Sequence, residues 1–256
     1  MSNIPPSFWK TLPFVAGVEH LGHDGHGLGA LAKPAGVLSH PNDAGKDRGR
    51  ALLDAEYDPA AECFVWTDVA SGDMRRLWLL NRLDSATSGV ILVAADGTLA
   101  ADVKAQFQRK VIAKTYVALV FGTPRVPREL WRDRLAVERK AGVVRSSVAG
   151  GHIPAESECR VLRTTRGPQP RTLLELKPHT GRTHQLRVQC AKRQLPIVGD
   201  QTYGDFRRNR EFAKVAGLKR LFLHSLETQV RYRWAGREWQ FAARAELPPE
   251  FEAALR

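Results

Sequence analysis

Apolar residues along this chain fall in short blocks between turn formers, a pattern of many strands and few helices. The run Gly89–Ala94 contains no polar side chain, so it belongs in the middle of a sheet with both faces covered. Ahead of it, Leu31-Ala32-Lys33-Pro34-Ala35-Gly36-Val37-Leu38-Ser39-His40 reads as a strand starting near Leu31, a Pro-Ala-Gly turn and a second short strand. Residues 41–50, rich in glycine and charge, read as a mobile loop. Residues 51–66 read as a mixed helical patch followed by a short strand at Cys63-Phe64-Val65-Trp66. Behind the central run, Asp96-Gly97-Thr98 offers caps for a helix with Leu99, Val103 and Phe107 at four-residue steps. Ile112 to Phe121 is a β-branched and aromatic strand, closed by Gly122 and Pro124.

From Leu130 to Leu176 the pattern predicts several strands, broken at Lys140-Ala141-Gly142, Ala149-Gly150-Gly151 and Arg166-Gly167-Pro168, as in an antiparallel meander. Thr183 to Arg193 reads as a helix, and residues 205–220 as a basic insert with a short helix. Two late strands, Leu221 to Val230 and Trp234 to Ala243, precede a terminal helix opened by Pro248-Pro249. The expected class is α+β, a mainly antiparallel mixed sheet with flanking helices.

Composition narrows this picture. Of 256 residues, 43% are hydrophobic and 26% charged, which excludes a disordered chain. No apolar run approaches the roughly 20 residues needed to span a bilayer, and no signal peptide is evident, so a cytoplasmic protein without membrane contact is expected. Cys63, Cys159 and Cys190 are odd in number and widely spaced, as expected of reduced, buried thiols. Charge is unevenly distributed: residues 1–80 carry 7 basic and 10 acidic side chains, residues 81–256 carry 32 and 17. A field of that sign concentrates a polyanion, and the preponderance of arginine suits forked contacts to phosphate. A basic surface kept only for solubility is the plainer reading.

Asp84 stands in Asn81-Arg82-Leu83-Asp84-Ser85-Ala86-Thr87-Ser88-Gly89. An Asp before Ser, Thr and Gly is commonly a turn former. The chemical alternative is a nucleophilic or basic carboxylate, kept ionised at the edge of an apolar strand by Arg82. Tyr116 shares a strand face with Lys114 and Ala118 and is either a core residue or a ring on which a flipped pyrimidine stacks. In His179-Thr180-Gly181-Arg182-Thr183-His184-Gln185-Leu186-Arg187-Val188, a helix start with Arg182 and Arg187 pointing one way could bind phosphate or pin a carboxylate. His184 alone reads as a structural hydrogen-bonding residue. His20, His23 and His26 recur at three-residue steps among glycines, with no cysteine partner, and make a poor metal site. Phosphate-binding loops, dinucleotide fingerprints and paired catalytic carboxylates are missing, so the expected chemistry needs no cofactor or metal.

Together these segments resemble the RluA-type RNA pseudouridine synthases. The resemblance rests on Lys33-Pro34-Ala35-Gly36, Arg82-Leu83-Asp84 with Thr87-Ser88-Gly89, Lys114-Thr115-Tyr116-Val117-Ala118 and the 179–188 segment. It continues through Pro196-Ile197-Val198-Gly199-Asp200, Tyr203-Gly204 and Leu221-Phe222-Leu223-His224. These occur in the family's order from about residue 25 to about 245. The resemblance implies a pseudouridine synthase fold with a central catalytic cleft and isomerisation of uridines in ribosomal or transfer RNA. It implies Asp84 as catalytic aspartate, Tyr116 as active-site tyrosine, Arg187 as the arginine paired with the aspartate, and Arg82 as the residue entering the space left by a flipped base. Arg182 and His184 are the further substrate-binding candidates. Asn81 stands where the family usually has His. Residues 1–24 read as a leader too short for an S4-like RNA-binding domain, residues 25–256 as the catalytic domain, and the protein as a monomer. Two rivals are a non-catalytic RNA-binding protein of the same fold and a nucleic-acid N-glycosylase. Binding alone needs no carboxylate facing phosphate, and the glycosylase needs an activated water, for which no second carboxylate is evidently paired with Asp84.

Overall fold

A computed structural model describes residues 4–5, 7–43, 45–108, 112–140, 143–147 and 151–256. The turns expected at 141–142 and 149–150, residues 1–3 of the expected leader and the side chain of Phe107 lie outside the described residues. The chain forms two compact units, Met1–Ile112 with Glu227–Ala245, and Ala113–Leu226 with Glu246–Arg256.

The first unit contains α1 (Ser7–Lys10), β1 (Glu19–His23), β2 (Leu28–Lys33), β3 (Glu56–Asp58), β4 (Cys63–Thr67), β5 (Met74–Leu79), β6 (Ser88–Ala94) and α2 (Gly97–Gln108). Every residue of β6 is buried, as the unbroken apolar run requires. It pairs antiparallel with β2 from Leu28↔Ala94 to Lys33↔Gly89, and β5 joins at Trp78↔Ala94. Asp96 caps α2 by accepting the Leu99 N–H at 2.8 Å, and Leu99 and Val103 pack on Val90, Leu92 and Ala94. Val230 and Tyr232 join that core from β12 (Leu223–Trp234), which pairs with β13 (Arg237–Arg244). Ala235 and Gly236 at the hairpin tip have φ of 50° and 77°, the left-handed pair of a two-residue type I′ turn.

Three sequence expectations change here. The first strand starts at Leu28 rather than Leu31, and β1 precedes it within the expected leader. Glu19-His20-Leu21-Gly22-His23 does not alternate in polarity and carries a register shift between His20 and Gly22, so its strand character was not visible. Phe8 and Trp9 of α1 are buried, and Trp9 stacks on both His20 and His23. No group of three or more metal-ligating side chains exists among the described residues. Residues 51–66 hold two antiparallel strands, β3 and β4, and no described helix. Finally, Asp47 braces the 41–50 loop by accepting the N–H groups of Asn42 and Asp43 and pairing with Arg50.

The second unit follows the expected meander. It comprises β7 (Ile112–Phe121, less its first residue), β8 (Arg128–Lys140), β9 (Val143–Ser147), β10 (Ile153–Thr164) and β11 (Arg171–Pro178), in the order β7-β11-β10-β8-β9. All four pairings are antiparallel. Its helices are α3 (Gln185–Lys192), α4 (Phe206–Ala216) and α5 (Pro249–Ala253), so the α+β expectation holds. The three cysteines are buried and unpaired, and burial pushes the Cys159 thiol up to about 12. No helix among the described residues is long and apolar enough to cross a membrane.

Gly199 follows Ile197, which bridges to Val120 of β7, and leads into the 200–204 turn. Its φ is 77°, and an added Cβ would lie 1.8 Å from the Arg220 carbonyl oxygen. Gly199→Ala is expected to cost more than about 2 kcal/mol of stability, from backbone strain and a contact no rotamer can relieve. Urea unfolding measures this; an unchanged midpoint would contradict the close approach.

Candidate active site

Asp84 lies in the loop between β5 and β6, and two polar residues of an earlier segment hold that loop. The buried Lys33 ammonium, at the end of β2, donates to the carbonyls of Pro34 (3.0 Å), Val37 (2.6 Å) and Ser85 (2.9 Å). The Ser85 carbonyl also receives the Gly36 N–H at 2.8 Å. Ser39 clasps Leu83 from both sides, its hydroxyl donating to the Leu83 carbonyl at 2.8 Å and accepting the Leu83 N–H at 3.0 Å. Asp84 therefore sits between two residues whose backbones are fixed by the Lys33–Ser39 segment. Its own carbonyl accepts the Thr87 N–H at 3.0 Å, and its side chain is half-buried.

Asn81 bonds the Leu92 N–H through its side-chain oxygen at 2.8 Å, tying the loop start to β6. That gives the residue standing in place of the family's usual His a supporting part. Arg82 is exposed, and its guanidinium donates to His40 Nε2 at 3.1 Å. The His40 ring stacks on Tyr57, with centroids 5.0 Å apart and planes 12° off parallel.

Tyr116, Arg182, His184 and Arg187 belong to the second unit. Tyr116 is buried on β7 opposite Leu176. Lys114, two residues earlier, is partly buried, and the burial of its ammonium pulls it down to about 8. The two arginines of the 179–188 segment do not point the same way, contrary to the sequence reading. Arg182 is exposed, its Nε donating to the Pro154 carbonyl at 3.3 Å. Arg187 turns inward, and its Nε and one Nη grip the two Asp200 oxygens at 2.8 Å each. Between them lies His184, the N-cap of α3, in the left-handed conformation with a φ of 53°. Burial alone would raise the Asp200 carboxyl. Arg187 and the N–H groups of Tyr203 and Thr202 outweigh it and hold the carboxyl below the usual range.

The rest of the segment is a polar lock. Thr180 donates to Gln185 at 2.7 Å, and Gln185 donates to the Glu156 carbonyl and to Ser157. His184 Nδ1 lies 2.9 Å from the Tyr203 hydroxyl, which accepts the Ser146 N–H, and the Arg187 guanidinium lies over the Tyr203 ring. His184 thus has a hydrogen-bond partner within this unit.

Residues 28–192 match the family model described as RNA pseudouridylate synthase. The chain belongs to this family. It is 32% identical over 229 residues to a tRNA pseudouridine synthase C of Yersinia pestis, covering 86% of this chain and 83% of that one. It is 33% identical over 184 residues to a ribosomal large subunit pseudouridine synthase C of Vibrio vulnificus, covering 72% of this chain and 56% of that longer relative. The fold is shared with the solved structure of human RNA pseudouridylate synthase domain containing 4, at a TM-score of 0.66 and 23% identity, over 92% of this chain and 91% of that one.

Sequence reasoning singled out Asp84 but assigned no part to Lys33, Ser39, His40 or Asp200. A lysine ending an apolar strand before Pro-Ala-Gly was the available signal for the first, since a buried ammonium needs a turn's worth of carbonyls. For Asp200, Gly-Asp before Thr and Tyr marked an Asx-type turn but not its arginine partner. Lys33→Met is expected to leave three carbonyls short of a donor, lowering stability by about 3 kcal/mol and loosening the Asp84 loop. Urea unfolding together with hydrogen exchange at Ser85–Thr87 checks this, and wild-type protection in the variant would refute the clamp.

Proposed function

We propose that this synthase converts uridines of structured ribosomal or transfer RNA to pseudouridine, with Asp84 as nucleophile and the target base turned out of its helix. The observation carrying this reading is Asp84 held between the clamped residues Leu83 and Ser85 of a pseudouridylate synthase chain. The N1–C1′ bond breaks, the uracil turns, and a C5–C1′ bond forms. N1 gains a proton and the C5 hydrogen leaves to water, so product and substrate are isomers and no cofactor is required. Extruding the base costs a few kcal/mol of stacking and pairing. Arg82 entering the gap and Tyr116 stacking on the uracil offset it. Arg187, its guanidinium aimed by Asp200, acts in catalysis, and Arg182 contacts the RNA backbone. The protein acts as a cytoplasmic monomer.

Asp84→Asn is expected to abolish release of tritium from RNA labelled at uridine C5 while leaving RNA affinity within about twofold. Release at the wild-type rate by the folded variant would end the nucleophile assignment.

RNA affinity is assigned in part to α4. Asp205 caps it by accepting the Arg207 and Arg208 N–H groups, and Arg207, Arg210, Lys214 and Phe206 are exposed along it. Arg208 differs, its guanidinium lying 4.4 Å from the Phe121 ring centre. Replacing Arg207 and Arg210 by Ala should weaken RNA binding and flatten the log–log salt slope by about 1–2. An unaltered slope would show that α4 faces away from RNA.

A further inference from the structure

The proposed part of Arg82, entering an RNA helix, requires a guanidinium presented at a defined place before RNA arrives. An exposed arginine ordinarily samples many rotamers, and ordering it on binding reduces the net gain. Here the guanidinium is held by the His40 ring. His40 Nδ1 lies 2.9 Å from the Pro41 carbonyl, which can only accept, so Nδ1 carries the hydrogen. Arginine can only donate, so Nε2, 3.1 Å from the Arg82 Nη1, must be the bare acceptor. Both contacts together demand the neutral imidazole in one tautomer.

The ring is itself held flat against Tyr57, which meets the buried Phe64 edge-on at 5.1 Å. Burial, with Glu62 nearby, pushes the Tyr57 phenol up to about 12, so it stays an uncharged backing. The charged groups around this stack are Arg82, Asp58 and Glu62, the last bonded to Lys104 of α2 at 2.6 Å. A proton on Nε2 would remove the acceptor and set an imidazolium against the guanidinium.

We propose that neutral His40 is a positioning residue that holds Arg82 ready to enter the RNA helix. This rests on the reading of the chain as a base-flipping synthase. Its consequence is a rate that falls at acid pH, where a protonated imidazole can no longer accept from Arg82. The fall belongs to kcat/KM, which reports the free enzyme's groups.

The test follows tritium release from unmodified ribosomal and transfer RNA labelled at uridine C5, from neutral to acid pH, for the full chain. His40→Ala is expected to lower kcat/KM roughly 10- to 100-fold, the scale of a misplaced positioning group, and to remove the acid fall. His40→Gln, whose side-chain oxygen can accept from Arg82 but cannot titrate, should recover most of the rate and also lack the acid fall. In an Arg82→Ala background, His40→Ala should add no further loss. An acid fall retained in His40→Gln, or losses that multiply in the double variant, would overturn the positioning role while leaving the synthase reading intact. No tritium release by the wild-type protein from either RNA would instead overturn the synthase reading beneath it. A urea midpoint unchanged from wild type for His40→Gln separates positioning from unfolding.

Discussion

The first unit of this synthase depends on one buried cation. Lys33 ends a strand with its ammonium removed from water, a state that is strongly unfavourable unless oxygen atoms replace the lost hydration. Carbonyls of Pro34, Val37 and Ser85 do so. Two belong to the lysine's own turn and the third to the loop bearing Asp84, so satisfying the charge necessarily fixes the loop. Ser39 repeats the device one residue before the aspartate. The loop's far end is anchored in β6, whose register with β2 runs from Leu28↔Ala94 to Lys33↔Gly89. The carboxylate's position is thus a by-product of packing and desolvation, and no strained backbone is needed at Asp84 itself.

The second unit places its arginine by a parallel logic. Arg187 and Asp200 form a two-pronged buried pair, whose loss of either partner would cost about 3–5 kcal/mol. Such a pair adds little net stability over an apolar substitute, but it fixes the plane and direction of the guanidinium. His40 and Arg82 make a looser version at the surface, where one neutral acceptor holds an exposed cation. The three arrangements share one principle: each charged group is held by hydrogen bonds to neighbouring protein groups.

The sequence's legibility follows from where period and packing agree. Gly89–Ala94, Ile112–Phe121 and the Leu99–Val103 helix announced themselves because apolar spacing and flanking caps gave one answer at each. β1 and β3 were hidden, being short, polar strands stabilised by neighbours rather than by their own pattern. Asp84, Tyr116 and Arg187 were singled out together only through the family resemblance. The opposed directions of Arg182 and Arg187 were not legible, with a left-handed His184 between them that no periodicity announces. The clamp on Asp84 was equally hidden, since Lys33 and Ser85 lie 52 residues apart in the chain.

The most direct test of the central claim is a structure of the protein bound to its RNA with Asp84 changed to Asn. The account predicts a uridine turned out of its helix, with C1′ or a uracil ring carbon within about 3.5 Å of the residue-84 side chain, the separation at which bond formation begins. A uridine still stacked in the RNA, or seated away from residue 84, would contradict it.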